Sequence, residues 1–516
     1  MMKKKLFSTI LITALLISIF SLAAFAQADD QTLTIGFEAD VSSLDPGFAD
    51  ISVNERVNSL IYDGLVEYGE NNKIVPGIAY DWDISEDGTV YTFYLQQGIP
   101  FHNGESLTAE DVKFTYERIL DPDSGSGLRG KVTIIDQIEI VDDYTVRFVL
   151  KEPYSPFMLA MTFGIVPKDY VERVGADEFS RNPVGAGPFK LEEWVPDTRI
   201  VLTANETYWM KDPKLSKVII RPIPESSVQA MELRSGGIDV AVSLDVGQLN
   251  NFKDDNNFQV KSAAGGGVHF FGFNDKMAPF DNVEFREAFL MASPIEQIVP
   301  QIYGPLGVTA YSFVPPTLWP DEKEYLKEQR VNFNPQQAQQ KVEELKAEGI
   351  IDNDFTIDIY VPSSNNSRIK VVEALVTSLR QAGFKAQAQV MEFGTMWDKL
   401  GAGEIGVYML SFVSDPDPDY WLYRWFKSDG SLNKSFYEND QVDEWLDIAR
   451  TSSDQDVRAE NYSKVLRKTL GEDKVLVPVA HINQIYVMNN SVKELTPGNP
   501  ILIPLVTPDA NVYIEE

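Results

Sequence analysis

The sequence of 516 residues contains no cysteine and only three histidines. The lack of cysteine excludes disulfides, thiolate metal sites, iron–sulfur clusters and cysteine nucleophiles, as well as a thioether-linked lipid on a mature chain. The histidines, His102, His269 and His481, are too far apart for a local zinc motif. The sequence therefore predicts neither a metal site nor a cofactor.

Positive charge is also scarce, since 45 lysines and arginines stand against 77 aspartates and glutamates, a net charge of −32. Binding to nucleic-acid phosphates requires clustered lysine and arginine, so this composition argues against a nucleic-acid partner. The run 125–131 resembles a phosphate loop, but Val132 stands where magnesium binding requires a hydroxyl. A G-x-S-x-G nucleophile motif is absent, and no spacing selects a catalytic carboxylate pair. We predict that the chain is not an enzyme.

The first 26 residues have the pattern of a signal peptide. Lysines at positions 3–5 precede an apolar stretch, and Ala24-Phe25-Ala26 has the small-x-small spacing of a cleavage site. The apolar stretch is nearly long enough to span a bilayer, so an uncleaved anchor is the alternative. We expect cleavage near Ala26, export across the inner membrane and a periplasmic location without a lipid anchor.

Local patterns predict an α/β protein with more than one sheet. Hairpins are predicted at Asp87-Gly88 and at Asp142-Asp143, with a helix that begins after Thr108 between them. Strand-like runs at 355–361 and 385–390 bracket a helical pattern at 367–382, which predicts a parallel strand pair. The glycine-rich run 263–267 separates these two regions and is predicted to be a linker.

Four blocks of residues occur in one order along nearly the whole mature chain. They are Trp82 with Asp87-Gly88, Phe101-His102-Asn103-Gly104 and 107–112; 183–189 with Trp194 and Tyr208-Trp209; Phe273-Asn274 with Phe280-Asp281, Phe285-Arg286, Tyr303-Gly304 and Val314-Pro315-Pro316; and Ala382-Gly383-Phe384 with 415–419. Together they resemble the extracytoplasmic solute-binding proteins of ABC importers, family 5, the peptide/nickel type.

This resemblance implies the large, cluster C type of periplasmic-binding-protein fold, an α/β fold in which two lobes close over a ligand cleft. Lobe I would comprise 27–61, 182–266 and 480–516, and an extra subdomain, 62–181, would be inserted into it. Lobe II would comprise 267–479, which places hinge crossings near 263–267 and 477–480. The implied partners are a small ligand and the permease subunits of an ABC transporter in the inner membrane.

The resemblance also implies ligand-binding residues for a peptide. Asp415 takes the position that pairs with the ligand's ammonium, with Phe412 in place of a tryptophan. An ungapped alignment places Ser414 there instead, so both alignments remain open. Arg368, followed by Lys370, lies where the family places its carboxylate-binding arginine.

Further ligand contacts are expected from both lobes. Asp50 and Ser52 lie in a loop expected to offer backbone groups from lobe I, and Trp397, Trp421 and Trp425 are candidates for stacking on a sugar ring. The sequence thus predicts an oligopeptide-binding subunit of an ABC importer. An oligosaccharide is the alternative ligand, and an exported carboxylate-dependent hydrolase and an acidic surface-layer or adhesion protein are alternatives of other classes.

Overall fold

The computed structural model describes residues 31–48, 52–69, 73–498 and 502–515. The predicted signal peptide, its cleavage near Ala26 and the expected ligand contact at Asp50 therefore lie outside the described residues.

Two long antiparallel strands, Phe258–Phe273 and Leu476–Asn489, form the centre of the largest sheet. On one side of this pair the sheet continues, in spatial order, through Val240–Ala241, Thr32–Phe37, Lys217–Pro222, Arg199–Ala204 and Phe189–Val195, which we call the first half-sheet. On the other side it continues through Val407–Val413, Thr356–Pro362 and Lys385–Met391, the second half-sheet. Gly307–Thr309 also pairs with the second long strand. The two half-sheets are joined through this central pair.

The half-sheets pair with opposite ends of the long strands. Val407–Val413 pairs with the end of the first long strand from Gly267 onward, whereas Val240–Ala241 pairs with the second long strand at Val487 and Met488. The register between the long strands shifts between Ala263 and Gly267, which lies between these two regions.

The run 263–267 is therefore part of a strand, and its prediction as a separate linker was wrong. A β carbon added at Gly265 would lie 1.7 Å from the carbonyl oxygen of Ile482 on the facing strand. Glycine occurs here because it allows the two backbones to approach this closely. The glycines that suggested a flexible linker instead permit an irregular crossing between the half-sheets.

A separate antiparallel sheet has the spatial order Ala79–Ile84, Val90–Leu95, Thr145–Leu150 and Ile135–Asp142. Both predicted hairpins are confirmed, and Gly88 in the first turn has a φ of 69°. The predicted helix is confirmed as Ala109–Leu120, where the Asp111 carboxylate accepts from the backbone N–H of Thr108 at 2.9 Å. This sheet and helix enclose their own apolar core.

The predicted parallel pair in the second half-sheet is also confirmed. Thr356–Pro362 and Lys385–Met391 run parallel and are connected by the helix Asn366–Gln381. The side-chain oxygen of Asn365 caps this helix by accepting from the backbone N–H of Arg368 at 3.0 Å. Arg368 consequently lies in the first helical turn, at the carboxyl end of the preceding strand.

The remaining elements are short strands and the helices around the sheets. Two further strand pairs are Val66–Tyr68 with Ile74–Pro76, and Val492–Lys493 with Tyr513–Ile514. The other α-helices are Ser52–Ile61, Arg129–Val132, Phe157–Ala160, Lys168–Val174, Ala176–Phe179, Ser226–Ser235, Val246–Leu249, Val283–Met291, Ile295–Tyr303, Lys323–Gln329, Pro335–Ala347, Phe393–Gly401, Pro418–Phe426, Asp440–Thr451 and Gln455–Leu466. Pro46–Phe48 and Gly304–Leu306 form 3₁₀-helices, and Arg467–Glu472 forms a π-helix.

Candidate ligand-binding cleft

The turn that follows the strand Val407–Val413 fixes the backbone of Asp415. The indole N–H of Trp421 and the backbone N–H of Asp417 both donate to the Asp415 carbonyl oxygen, at 3.0 and 2.9 Å. The side chain of Asp415 lines a cleft and is 11% exposed. Hydrogen bonds from within the protein therefore hold the turn, while the carboxylate is presented to the cleft.

The other two aspartates of this Asp/Pro turn have partners inside the protein. Asp417 accepts from Arg458 through both carboxylate oxygens, at 2.7 and 2.9 Å. Asp419 accepts from Arg450 at 3.0 and 2.6 Å. Burial raises the pKa of Asp419, and hydrogen bonding to Arg450 opposes that increase. Both pairs stabilise the turn, and Asp415 is its carboxylate at the cleft.

Aromatic side chains pack behind the Asp415 turn. The ring of Phe412 lies nearly parallel to Phe313, with centroids 6.1 Å apart, and Trp421 meets Phe412 edge-on at 5.0 Å. Trp421 has no exposed surface, and Trp425 is also buried. In this structure, Trp421 has no face available to a sugar ring, and its link to the cleft is the hydrogen bond to Asp415.

The cleft lies between the Asp415 turn and elements from the first part of the chain. Its space, including the open mouth, is about 660 Å³. Its lining includes Tyr62, Glu67, Tyr68, Lys131, Phe163 and Asp415. Both charged and aromatic side chains therefore face this space, a composition suited to a small polar ligand.

Lys131 is a cleft residue that the sequence analysis did not predict. Its Nζ lies 2.7 Å from Oδ2 of Asp415 and 5.7 Å from the centroid of the Phe163 ring. The residue is in the run that resembles a phosphate loop, and no local pattern connects it to a turn so distant in the chain. The structure brings the two together by placing the short helix Arg129–Val132 against the cleft.

Two carboxyl groups near the cleft also lacked a sequence signal. Asp63 is buried and accepts hydrogen bonds from the indole N–H of Trp209 at 2.6 Å and the hydroxyl of Tyr208 at 3.3 Å. Burial raises the pKa of Asp63 to about 7 despite these bonds. Burial and the nearby Asp63 also raise the pKa of Glu67, which accepts from the backbone N–H of Gly64 at 2.8 Å.

Arg368 is buried, with 7% of its surface exposed. Its Nε–H has no hydrogen-bond partner, and among the described residues no carboxylate lies within 4.0 Å of its guanidinium. Its surroundings include His269, whose Nδ1 lies 2.7 Å from the Tyr303 hydroxyl. Burial and the charge of Arg368 lower the pKa of His269 to about 3, so this imidazole is neutral. Arg368 is thus a buried cation without an anionic partner in the described part of the chain.

The other predicted site residues occupy different environments. Lys370 is exposed on the helix that carries Arg368. Trp397 is partly exposed, with its ring near that of Phe393 and below the Lys434 ammonium. Ser52 begins the helix Ser52–Ile61, and Asp50, two positions earlier, lies outside the described residues.

Two other kinds of feature are absent from the described residues. No group of three or more histidine, aspartate and glutamate side chains in this part of the chain is arranged to hold a metal ion. Within the same residues, no helix has both the length and the apolar character that crossing a bilayer requires.

Comparison with known proteins identifies the family. The family model for bacterial extracellular solute-binding proteins, family 5, matches residues 73–433, more than half of the chain. The chain belongs to this family. It is 26% identical to the dipeptide-binding protein of Escherichia coli K12, over 87% of this chain and 89% of that protein. It is also 28% identical to heme-binding protein A of Haemophilus influenzae, over 82% of this chain and 81% of that protein.

A solved structure extends the family assignment to the fold. DppA of Helicobacter pylori, an ABC transporter-associated periplasmic binding protein in complex with the peptide STSA, is 28% identical and matches with a TM-score of 0.76. The match covers 94% of this chain and 98% of that chain. The predicted family, its two-lobed α/β fold and its solute-binding role are thereby confirmed.

Proposed function

We propose that this family 5 protein is the exported, non-catalytic subunit of an ABC importer that binds short peptides by both ends. The ligand's ammonium pairs with Asp415 and its carboxylate with Arg368. The dipeptide-binding protein of Escherichia coli and the peptide complex of DppA support this class of ligand. The observation that carries the proposal is the buried Arg368 guanidinium, which lacks an acidic partner among the described residues.

Electrostatics favour a carboxylate at Arg368. A buried cation loses its hydration, and that cost is repaid only when an anion pairs with it and satisfies its hydrogen bonds. A peptide carboxylate matches the guanidinium in charge and can accept two parallel N–H bonds. The start of the helix Asn366–Gln381 adds positive potential at the same end. The exposed Lys370 adds positive charge on the first turns of this helix.

We assign the lobes with the boundaries that the family resemblance implies. Lobe I is 27–61, 182–266 and 480–516, its inserted subdomain is 62–181, and lobe II is 267–479. The central strand pair supports this division because its register shift lies between the half-sheets. Closure about this crossing brings Lys131 and the inserted subdomain against the Asp415 turn. Asp50 and Ser52 extend the site from lobe I, and Phe412 and Trp421 support Asp415 from lobe II.

The proposed place of action is the periplasm. Residues 1–26 would direct export and be removed near Ala26, after which the loaded protein delivers its peptide to the permease subunits in the inner membrane. The family of extracellular solute-binding proteins supports this route.

An oligosaccharide remains the second candidate ligand because of Trp397. This partly exposed indole lies with its ring centroid 5.8 Å from that of Phe393, at an interplanar angle of 28°. Partly exposed aromatic rings of this kind are suitable for stacking on a sugar face. Binding that depends on Trp397 but is independent of Asp415 and Arg368 would favour the sugar.

The ammonium site is tested with Asp415→Asn. The tightest-binding of di-, tri- and tetraalanine serves as the reference peptide, and isothermal titration measures its affinity. We expect Asp415→Asn to weaken peptide binding at least about tenfold, because it removes the negative charge that pairs with the peptide's ammonium in a partly buried site. Acetylation of the reference peptide should have a similar effect on the wild type, and Asp398→Asn, at an exposed aspartate, should have none. If none of the three peptides binds, or if Asp415→Asn and acetylation both leave affinity unchanged, the proposed recognition is wrong.

A further inference from the structure

The contact between Lys131 and Asp415 bears on how strongly a peptide binds. Lys131 is 24% and Asp415 11% exposed at their side chains, and their charged atoms are 2.7 Å apart. Under the proposed function, the Asp415 carboxylate binds the ammonium of the ligand. In the structure, the ammonium of Lys131 already occupies this carboxylate.

The segment that carries Lys131 is anchored on its own side of the cleft. The hydroxyl of Ser126 donates to the carbonyl oxygen of Gly47 at 2.5 Å, and the Nε–H of Arg129 donates to the carbonyl oxygen of Leu120 at 3.0 Å. Val132, next to Lys131, is completely buried in the core of the four-stranded sheet. These contacts fix the backbone around Lys131. The contact with Asp415 is made by the flexible lysine side chain.

We propose that Lys131 is a built-in competitor for the ligand's ammonium, which lowers the affinity of the site for peptides with a free amino terminus. This inference rests on the proposed function of Asp415. Two ammonium groups on one carboxylate repel each other, so a peptide must displace Lys131 to form its own close pair. The displaced lysine remains near the face of Phe163, whose ring centroid lies 5.7 Å from its Nζ. A binding protein that must later release its ligand to a permease gains from such a competitor.

Lys131 could instead serve to hold the cleft closed. The structure favours this role less, because other contacts join the same two sides of the cleft. The backbone N–H and the hydroxyl of Ser155 donate to the carbonyl oxygen of Arg450 at 3.0 and 2.9 Å. Tyr68 and Leu159 also pack into the apolar cluster that contains Trp421. Closure is therefore supported without Lys131, whereas competition at Asp415 depends on it.

The test is Lys131→Met, which keeps much of the side chain's length and removes its charge. Isothermal titration with the reference alanine peptide should show binding about fivefold tighter than in the wild type, the effect of losing a competing ion pair of modest strength. Lys151→Met, which removes an exposed charge from the same subdomain, should leave affinity unchanged. The acetylated reference peptide should gain nothing from Lys131→Met.

The double variant Lys131→Met/Asp415→Asn separates competition from a general change of charge. If Lys131 acts through Asp415, its replacement produces no gain when Asp415 is already neutral. Unchanged or weaker binding by Lys131→Met alone would overturn the inference, as would a gain that persists in the double variant. If Asp415→Asn weakens binding but Lys131→Met does not tighten it, only the competitor is wrong. If Asp415→Asn and acetylation of the peptide both have no effect, the proposed ammonium site fails as well.

Discussion

Replacement of Arg368 by methionine should weaken ligand binding and stabilise the unliganded protein. Arg368 is 7% exposed, and its Nε–H lacks a hydrogen-bond partner among the residues that the structure describes. Methionine retains much of the buried length and removes the charge. The two effects have opposite signs because the cation is costly without an anion and favourable with one.

Each effect has an expected size. Loss of one partner from a desolvated, hydrogen-bonded charge pair costs about 2–5 kcal/mol, or on the order of 30- to 3000-fold in affinity. Replacement of buried ion pairs by apolar side chains of similar volume is neutral or stabilises a protein by about 1–4 kcal/mol, and the removal of a buried cation that has no anionic partner among the described residues should be at least as favourable. We therefore expect a higher thermal midpoint for Arg368→Met than for the wild type when no ligand is added.

Titration calorimetry and thermal unfolding test the two effects on the same samples. Amidation of the reference peptide removes its carboxylate and should weaken wild-type binding by as much as Arg368→Met does. The amidated peptide should lose little further affinity in the variant. Arg380→Met, at an exposed position near the other end of the same helix, is the matched control. Affinity within twofold of the wild type, or a lower thermal midpoint for Arg368→Met, would refute the reasoning.

Three further outcomes concern the hinge, a buried acid and lobe movement. Gly265→Ala should destabilise the protein by about 1–3 kcal/mol, because its β carbon overlaps the facing strand, whereas Gly130→Ala, with open space around it, should not; chemical denaturation measures both. Since burial raises the pKa of Asp63 to about 7, the carboxyl group stays protonated up to a higher pH in the native state than in the unfolded state. The resulting contribution to stability, present below about pH 4, is lost by about pH 7 and amounts to at most about 4 kcal/mol. Denaturation across this pH range should therefore show a flatter profile for Asp63→Asn than for the wild type. Small-angle scattering should show a smaller radius of gyration at saturating peptide, and an unchanged radius would contradict hinge closure.

Local chemistry explains which parts of the fold could be predicted. The Asp87-Gly88 turn formed as expected because its glycine adopts a positive φ between two alternating strands. The parallel pair followed from a helical period between two strand-like runs. The linker prediction for the run 263–267 was wrong because glycines, although common in flexible linkers, here allow a close approach to Ile482 within a strand.

Less of the candidate site could be predicted from the sequence, because the burial and pairing of its residues depend on contacts between segments that are distant in the chain. Family resemblance suggested Arg368 and Asp415, but no pattern in the sequence revealed that Arg368 is buried without an acidic partner in the described part of the chain. The Lys131–Asp415 pair forms because the short helix Arg129–Val132 lies against the cleft that Asp415 lines. Likewise, burial raises the pKa of Asp63 despite its hydrogen bonds with Tyr208 and Trp209, and neither of these residues is close to it in sequence.

The central claim is that the natural ligand is a short peptide with two free ends. Native mass spectrometry of protein freshly purified from its native host measures any retained ligand directly, and fragmentation of the released molecule identifies its chemistry. We predict an added mass that fragments into amino-acid residues and carries a free amino terminus and a free carboxylate. A retained oligosaccharide, or a retained peptide blocked at either end, would contradict the account.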